Sequence, residues 1–267
     1  MDLIEYFDIA QMPFGKSSPT SDSFSYGQLE ELHALLKYTI AEKSMALVTG
    51  QAGVGKTTAV RLFIDSLPTN KYLTVYLGQD QIGSNVLRRL AVTLGITPSF
   101  HRQHTLMQIS QFLDENLEQA GRTIILVADE AHLLDDRTLE DIRLLTNADF
   151  DKNSPVAVIL MGQLPLRSRL KAPGHEALNQ RLRVRYHLEG LTQDETSAYI
   201  KHQLKLAGAK PDLFGDDVIK QIFMAAEGIL REINNLSMLA MLRAQSLSVN
   251  KIDAKLVRQI LDQRELN

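Results

Sequence analysis

Nine consecutive residues, Gly50-Gln51-Ala52-Gly53-Val54-Gly55-Lys56-Thr57-Thr58, have the types and spacing of a phosphate-holding loop. The glycines at positions 50, 53 and 55 let successive backbone N–H groups turn inward around phosphate oxygens. Lys56 then reaches the β- and γ-oxygens, and the Thr57 hydroxyl sits on Mg²⁺. An apolar run, Met45–Thr49, precedes the loop, and a helical pattern begins near Thr58, so the positive end of a helix faces the anion. The ligand this chemistry fits is ATP with Mg²⁺.

A second constellation follows about seventy residues later, where the apolar run Ile124–Ala128 ends in Asp129 and Glu130. Acids at the carboxyl end of such a strand stand where open α/β sheets bind ligands. Asp129 is expected to hold Mg²⁺ through its water shell and Glu130 to polarise an attacking water. A kinase of small molecules has no use for Glu130, since its nucleophile is the substrate, so the pair favours hydrolysis of ATP. A fourth apolar run leads into Gly162-Gln163, where a polar side chain would stand between the first two motifs and sense the γ-phosphate; an ordinary strand-end amide is the other reading. From Arg167 to Tyr186 there are six cations against one acid, Glu176. Leu182, Val184 and Tyr186 alternate with the arginines, so one side packs while the arginines face out. Either these line a solvated edge, or one of them completes a neighbour's ATP site. In Gly228-Ile-Leu-Arg231 a glycine ends one helix and an arginine opens the next, placing Arg231 to fold back onto the phosphates or to pair on the surface.

The elements that must position these groups alternate. Five apolar runs (Met45–Thr49, Tyr72–Leu77, Ile124–Ala128, Val156–Met161 and Val184–Leu188) are mostly separated by helical patterns at Thr58–Leu67, Asn85–Leu94, Leu106–Ala120 and Leu139–Leu145. That alternation implies α/β architecture, a parallel sheet with helices on both faces. Residues 12–27 hold Pro13, Gly15, Pro19, Gly27 and five serines, and read as part of an irregular opening segment, 1–27. Beyond about residue 190 only helical patterns remain, starting with the capping box Thr192-Gln-Asp-Glu195. A domain of residues 1–190 followed by a small helical domain of 191–267 is expected. The chain of 267 residues is long enough for both. It has no cysteine, so neither disulfides nor a thiolate metal site enters. Its opening residues are acidic where a signal peptide would be basic. No apolar run approaches the roughly 20 residues of a membrane span. The expectation is a soluble, cytoplasmic protein.

Together the phosphate loop, the tandem acids, the strand ending in Gln163, the arginine before the fifth strand and the Gly-x-x-Arg of a helical lid resemble the AAA+ ATPases over nearly the whole chain. More narrowly, Tyr6-Phe7 with Pro13-Phe14, Leu160-Met-Gly-Gln163, Asn179-Gln-Arg181-Leu and Arg231-Glu-Ile-Asn-Asn-Leu236 are similar to the ExeA-type branch. That branch includes secretion-pathway ATPases and transposition ATPases of the TniB, MuB and TnsC kind. The resemblance implies a five-stranded sheet with a helical lid. It assigns Lys56 and Thr57 to phosphate and Mg²⁺, Asp129 and Glu130 to metal and water, and Gln163 to sensing. It makes Arg181 a finger supplied to a neighbouring subunit and Arg231 a lid sensor. Gly-x-Leu-Arg stands here where the branch commonly has Gly-x-Pro-Arg.

The first expectation for function is a regulator of transposition that binds ATP, assembles with copies of itself along double-stranded DNA, marks a target and recruits a transposase with an integrase-type catalytic domain. The second is a secretion-assembly ATPase, which by resemblance continues into a membrane span and a wall-binding domain; the sequence runs to Asn267 with neither, which favours the first. A loader or switch for another DNA enzyme stays open beside it. Net charge is −3, so a DNA surface must be local. Between Gln81 and Leu113 there is no acid, and Arg88, Arg89, His101, Arg102 and His104 lie there. Arg88, Arg89 and Arg102 are the candidate DNA contacts, to backbone rather than bases, few aromatics being near. The competing reading is a helix face packed on its own domain, and adjacent Arg88 and Arg89 do not share one face.

Overall fold

The computed structural model describes residues 2–15, 23–78, 86–119, 122–146, 154–210 and 212–265. It divides into two compact units. One, the α/β unit, comprises Gly27–Gln51 and Lys56–Leu188; the other, the helical unit, comprises Met1–Tyr26, Ala52–Gly55 and Glu189–Asn267.

The α/β unit is built on a five-stranded parallel sheet of β1 (Met45–Gly50), β2 (Tyr72–Leu77), β3 (Thr123–Ala128), β4 (Val156–Gly162) and β5 (Leu182–Leu188), in the order β2-β3-β4-β1-β5. Every residue of β1 and β4 is buried, which is why these runs are continuously apolar: a strand covered on both faces has no solvent side on which to place polar residues. At the edge, β5 keeps the alternation, with Leu182 and Val184 buried and Arg183 and Arg185 exposed. Around the sheet lie α2 (Gly27–Ala41), α3 (Lys56–Asp65), α4 (Val86–Thr93), α5 (Arg102–Glu118), α6 (Asp136–Leu145), α7 (Leu164–Arg169) and α8 (Glu176–Arg181). The expected strands are all present. Sequence periodicity started α5 at Leu106, four residues late, because polar residues fill its first turn. It did not resolve α7 and α8, which at six residues each carry too few apolar positions to show a period. The expected helix starting at Asn85 and the stop at Gly121 involve residues outside those described.

The helical unit contains α1 (Leu3–Phe7), α9 (Gln193–Leu206), α10 (Asp216–Ala226), α11 (Leu230–Ser246) and α12 (Ala254–Glu265). The capping box at α9 forms as read: the Thr192 hydroxyl accepts from the Glu195 N–H while the Glu195 carboxylate accepts from the Thr192 N–H. One expectation differs. Residues 1–27 were read as an irregular lead into the α/β domain. Instead Leu3, Phe7, Ile9 and Phe14 join the core of the helical unit with Leu204, Phe214 and Ile233. The Ala10 N–H donates to the Ala207 carbonyl at 2.8 Å, and the Phe14 and Phe214 rings meet edge to face at 6.2 Å. The cause is apolar surface: four large side chains within twelve residues find a core in the helical unit that the short flanking α1 could not supply alone. The Pro19 part of that segment is outside the described residues.

Within this unit the chain crosses itself at Gly190 and Gly228. The Leu191 N–H donates to the Gly228 carbonyl at 2.9 Å, and Gly228 holds φ +75°. A Cβ on Gly228 would lie 2.1 Å from the Leu191 carbonyl oxygen, so only glycine permits this approach. The crossing sets where α11, and Arg231 at its start, begins.

Candidate functional site

The phosphate loop joins β1 to α3, and its conformation follows from its glycines. Gly53 and Gly55 take φ +84° and +104°, values that other residues enter only with strain. The Lys56 ammonium is 5% exposed as a residue and donates to the carbonyls of Gly50 and Gln51, each at 2.9 Å. It therefore braces the loop from within.

The two motifs are in direct contact. The Thr57 hydroxyl donates to Asp129 Oδ2 at 2.8 Å. Asp129 is itself buried and receives the Glu130 N–H on Oδ1 at 2.8 Å. A third donor was not foreseen from sequence: the Tyr76 hydroxyl, from the carboxyl end of edge strand β2, reaches Asp129 Oδ2 at 2.7 Å. Nothing in the residues around Tyr76 signals this; it follows from β2 lying beside β3, with Tyr76 paired to Val127. Asp129 is thus a carboxylate oriented by three donors, one of them the Thr57 hydroxyl of the loop helix. That donor set, one carboxylate and one hydroxyl, fits Mg²⁺, which keeps several waters and completes its shell with substrate phosphates. Among the described residues no group of three or more His, Cys, Asp or Glu stands together as a metal cage.

Glu130 sits in the left-handed region at φ +47°, immediately before a 3-10 turn at Ala131–Leu133. His132 Nδ1 stands 3.2 Å from Glu130 Oε2, off the geometry of a formed hydrogen bond. A left-handed conformation at a residue with a Cβ carries backbone strain, and it lies here at the residue that follows the Asp129 carboxylate. His132, the fourth residue of Asp129-Glu-Ala-His132, is not among the residues to which the sequence assigned a role.

Gln163 lies just beyond β4, the strand between β1 and β3, and opens α7. A Cβ on the preceding Gly162 would touch Leu166 Cδ2 at 2.7 Å and His132 N at 3.4 Å, so the end of β4 packs directly on the turn after Glu130. Gln163 is accordingly placed between the two motif strands.

Arg181 ends α8 at the amino-terminal end of β5, opposite the end of the strands that carries the loop. Leu182 pairs with Met45 at the start of β1, and Leu188 pairs with Gly50 at its end. At 3.3 Å per residue in parallel strands, the phosphate loop lies roughly 16 Å along the strand from that end. Arg181 Nη1 donates to the Thr146 carbonyl at 3.3 Å and lines a cavity of about 370 Å³ shared with Lys43, Arg143 and Arg183. Burial among these groups lowers the Lys43 pKa. Arg183 pairs with Glu42 at 3.4 Å, and Arg185 donates to the Asn179 carbonyl at 2.6 Å.

In the helical unit, the Arg231 N–H donates to the Gly53 carbonyl at 3.1 Å, and a Cβ on Gly53 would lie 2.8 Å from Arg231 Cβ. The side chain of Arg231 is exposed.

The three candidate DNA contacts separate. On α4, Val86, Leu87, Leu90 and Ala91 are buried and both Arg88 and Arg89 are exposed; the solvent side of this helix is broad enough to present adjacent arginines. Arg102 is different. Its guanidinium forms an ion pair with the Asp141 carboxylate of α6, and both side chains are largely covered, 21% and 10% exposed. Burial pushes the Asp141 pKa up, against the pull of Arg102. Arg102 is therefore a structural partner of Asp141, and a phosphate contact would require breaking a covered ion pair. Sequence spacing could not show this, since Asp141 is thirty-nine residues away.

Comparison with known proteins places these features. Residues 40–170 match the AAA domain family. The chain is 28% identical over 251 residues, 93% of its length, to general secretion pathway protein A of Aeromonas hydrophila, and covers 46% of that relative. It is 27% identical over 149 residues, 55% of its length, to the Mu-like prophage FluMu DNA transposition protein B of Haemophilus influenzae, and covers 48% of it. The chain thus spans about half the length of the curated relatives it matches. Among solved structures, Cdc6p from Pyrobaculum aerophilum is similar in fold, with a TM-score of 0.68 at 18% identity, covering 92% of this chain and 69% of that one.

Proposed function

From its place as an AAA+ chain of the ExeA- and MuB-like group, we propose that this protein is an Mg²⁺-dependent ATPase that assembles with copies of itself on duplex DNA and regulates transposition. The observation that carries the ATPase reading is the Thr57–Asp129 hydrogen bond at 2.8 Å. It joins the loop that would hold the triphosphate to the strand end whose next residue, Glu130, is a carboxylate suited to take a proton from water. Lys56 and the loop N–H groups bind phosphate, Thr57 and Asp129 hold Mg²⁺, and Gln163 and Arg231 report on the γ-phosphate. Glu130→Gln is expected to retain ATP while losing at least ~100-fold in hydrolysis, the scale of a removed general base; native turnover in that variant removes Glu130 from the reaction.

Arg181 supports an assembly-dependent site, because it stands at the opposite end of the strands from its own loop. A neighbouring copy then supplies the cation that offsets charge growing on the γ-phosphate, an effect on the order of 10³ or more. Arg181→Ala and Lys56→Ala proteins should each be inactive alone and regain activity when mixed on DNA. A dead mixture of co-assembling proteins refutes action across the interface.

Duplex binding and transposition are supported by the printed name of the transposition protein B relative and by the exposed Arg88 and Arg89. A second reading, an ATPase serving assembly of a secretion pathway, is favoured by the greater coverage of the secretion relative. Duplex DNA separates the two: stimulation of ATP hydrolysis by added duplex supports the first, and hydrolysis indifferent to duplex supports the second.

A further inference from the structure

The connector between α4 and α5 presents a bare aromatic ring. Phe100 is 93% exposed, more than any other large apolar side chain among the described residues, and Met107, on α5, is 69% exposed. A phenylalanine left in water gains nothing for the fold. Nor is the loop slack. The Ser99 N–H donates to Gln108 Oε1 and Gln108 Nε2 donates to the Thr97 carbonyl, both at 3.2 Å. The Ser99 carbonyl accepts from the Thr105 hydroxyl at 3.2 Å and from Arg88 Nη1 at 3.5 Å. The chain on either side of Phe100 is tied to α4 and α5, so the ring is held outward.

Its surroundings are suited to a polyanion. No acid occurs from Val86 to Leu113. The ring meets His101 edge-on at 5.3 Å, and His101 meets His104 at 5.5 Å. His104 and Met107 are three apart on α5 and continue the same stripe. Arg88 and Arg89 are exposed on α4, the helix to which the loop is bonded through Arg88. We propose that Phe100 is an apolar wedge that enters the minor groove of duplex DNA, with Arg88, Arg89 and the imidazoles of His101 and His104 along the flanking phosphates. This rests on the duplex-binding reading above and adds to it a contact that is not electrostatic. Apolar side chains inserted between base steps partly unstack them and bend the duplex, whereas phosphate contacts release counterions and make binding salt-dependent. A wedge among cations accordingly has two separable signatures.

The test uses the full chain with ATP and Mg²⁺, a fluorescein-labelled duplex read by anisotropy across a salt series, and a second duplex carrying 2-aminopurine as a reporter of unstacking. Phe100→Ala should lower affinity about ten-fold at every salt concentration, or ~1.4 kcal/mol, with the slope of log K against log salt unchanged. Arg89→Ala should instead flatten that slope by about one unit. The 2-aminopurine signal should rise with the native protein and with Phe100→Leu, and stay flat with Phe100→Ala. Because the ring touches so little of the protein, the melting temperature of Phe100→Ala should match the native one. Native affinity in Phe100→Ala, or a flat 2-aminopurine signal with the native protein, overturns the wedge while leaving duplex binding intact. Loss of self-association in Phe100→Ala, measured by sedimentation with no change in DNA affinity, also overturns it and assigns the ring to a second copy. No duplex binding by the native protein at low salt refutes the underlying reading instead.

Discussion

Removing the Tyr76 hydroxyl tests whether Asp129 is oriented for a metal. Asp129 accepts three hydrogen bonds: from the Glu130 N–H on Oδ1 at 2.8 Å, and from Thr57 and Tyr76 on Oδ2 at 2.8 and 2.7 Å. Tyr76→Phe removes one donor and leaves the ring, so packing is retained. A hydrogen bond to a charged acceptor contributes about 1.5–3 kcal/mol. Tyr76 is 46% exposed, so water can replace part of that, which argues for the lower end, about 1.4 kcal/mol or ten-fold. Outer-shell partners of metal ligands typically change affinity by about 10–100-fold, in line with this. The assay is binding of a fluorescent ATP analogue, first in chelator and then with Mg²⁺ titrated in. Affinity in chelator should be unchanged, since Lys56 and its bonds to Gly50 and Gln51 are untouched. The Mg²⁺ concentration at half effect should rise about ten-fold. An unaltered Mg²⁺ requirement would refute the idea that this hydroxyl orients the carboxylate. A loss of affinity already present in chelator would show that the change acts on the fold and not on the metal position.

Three further outcomes are expected. Gly228→Ala should destabilise the protein by about 3–5 kcal/mol, combining the cost of a left-handed φ, a lost Leu191–Gly228 hydrogen bond and a displaced backbone. Gly95→Ala, at φ +79° with no atom within 4 Å of its Cβ, should lose only about 1 kcal/mol, and equal losses in melting experiments would refute the steric argument. Arg102→Ala should destabilise by about 2–4 kcal/mol by leaving the Asp141 carboxylate covered and unpaired. Asp141 already has a raised pKa, so the native state binds its proton more readily than the unfolded chain does. The deficit should therefore be largest at neutral pH and shrink as pH falls into the carboxylate range; a pH-independent deficit counts against the pairing. Asp135→Ala should lose about 1 kcal/mol of stability at neutral pH, because Asp135 caps α6 by accepting the Thr138 N–H at 2.8 Å. A side-chain bond from Thr138, and after it this backbone bond, hold the Asp135 pKa down, so its contribution is present above the usual carboxylate value and disappears as pH falls through the lowered one. Native and variant melting curves should converge in acid.

What local chemistry determines was legible in the residues themselves. A glycine loop before a helix, and acids at the end of an apolar strand, act through backbone geometry and strand ends that short stretches specify. Thus the loop carrying Lys56 and Thr57, the strand end at Asp129 and the sheet between them could be read without coordinates, as could the alternation of β5, with Leu182 and Val184 packed and Arg183 and Arg185 facing out. Only the tertiary structure decided which side chains meet across long separations. Tyr76 reaches Asp129 because β2 lies beside β3, a pairing that no spacing encodes. Arg102, read among the cations of an acid-free stretch, is taken by Asp141 because α5 packs on α6. Residues 1–27, poor in periodicity, proved to bury Leu3, Phe7, Ile9 and Phe14 in the helical unit: apolar side chains state that they need a core, and only the folded chain states which one. Phe100 is the converse, a single large apolar residue in a polar stretch that the fold leaves outside, because the bonds around Ser99 and Gln108 hold its loop away from the buried faces of α4 and α5.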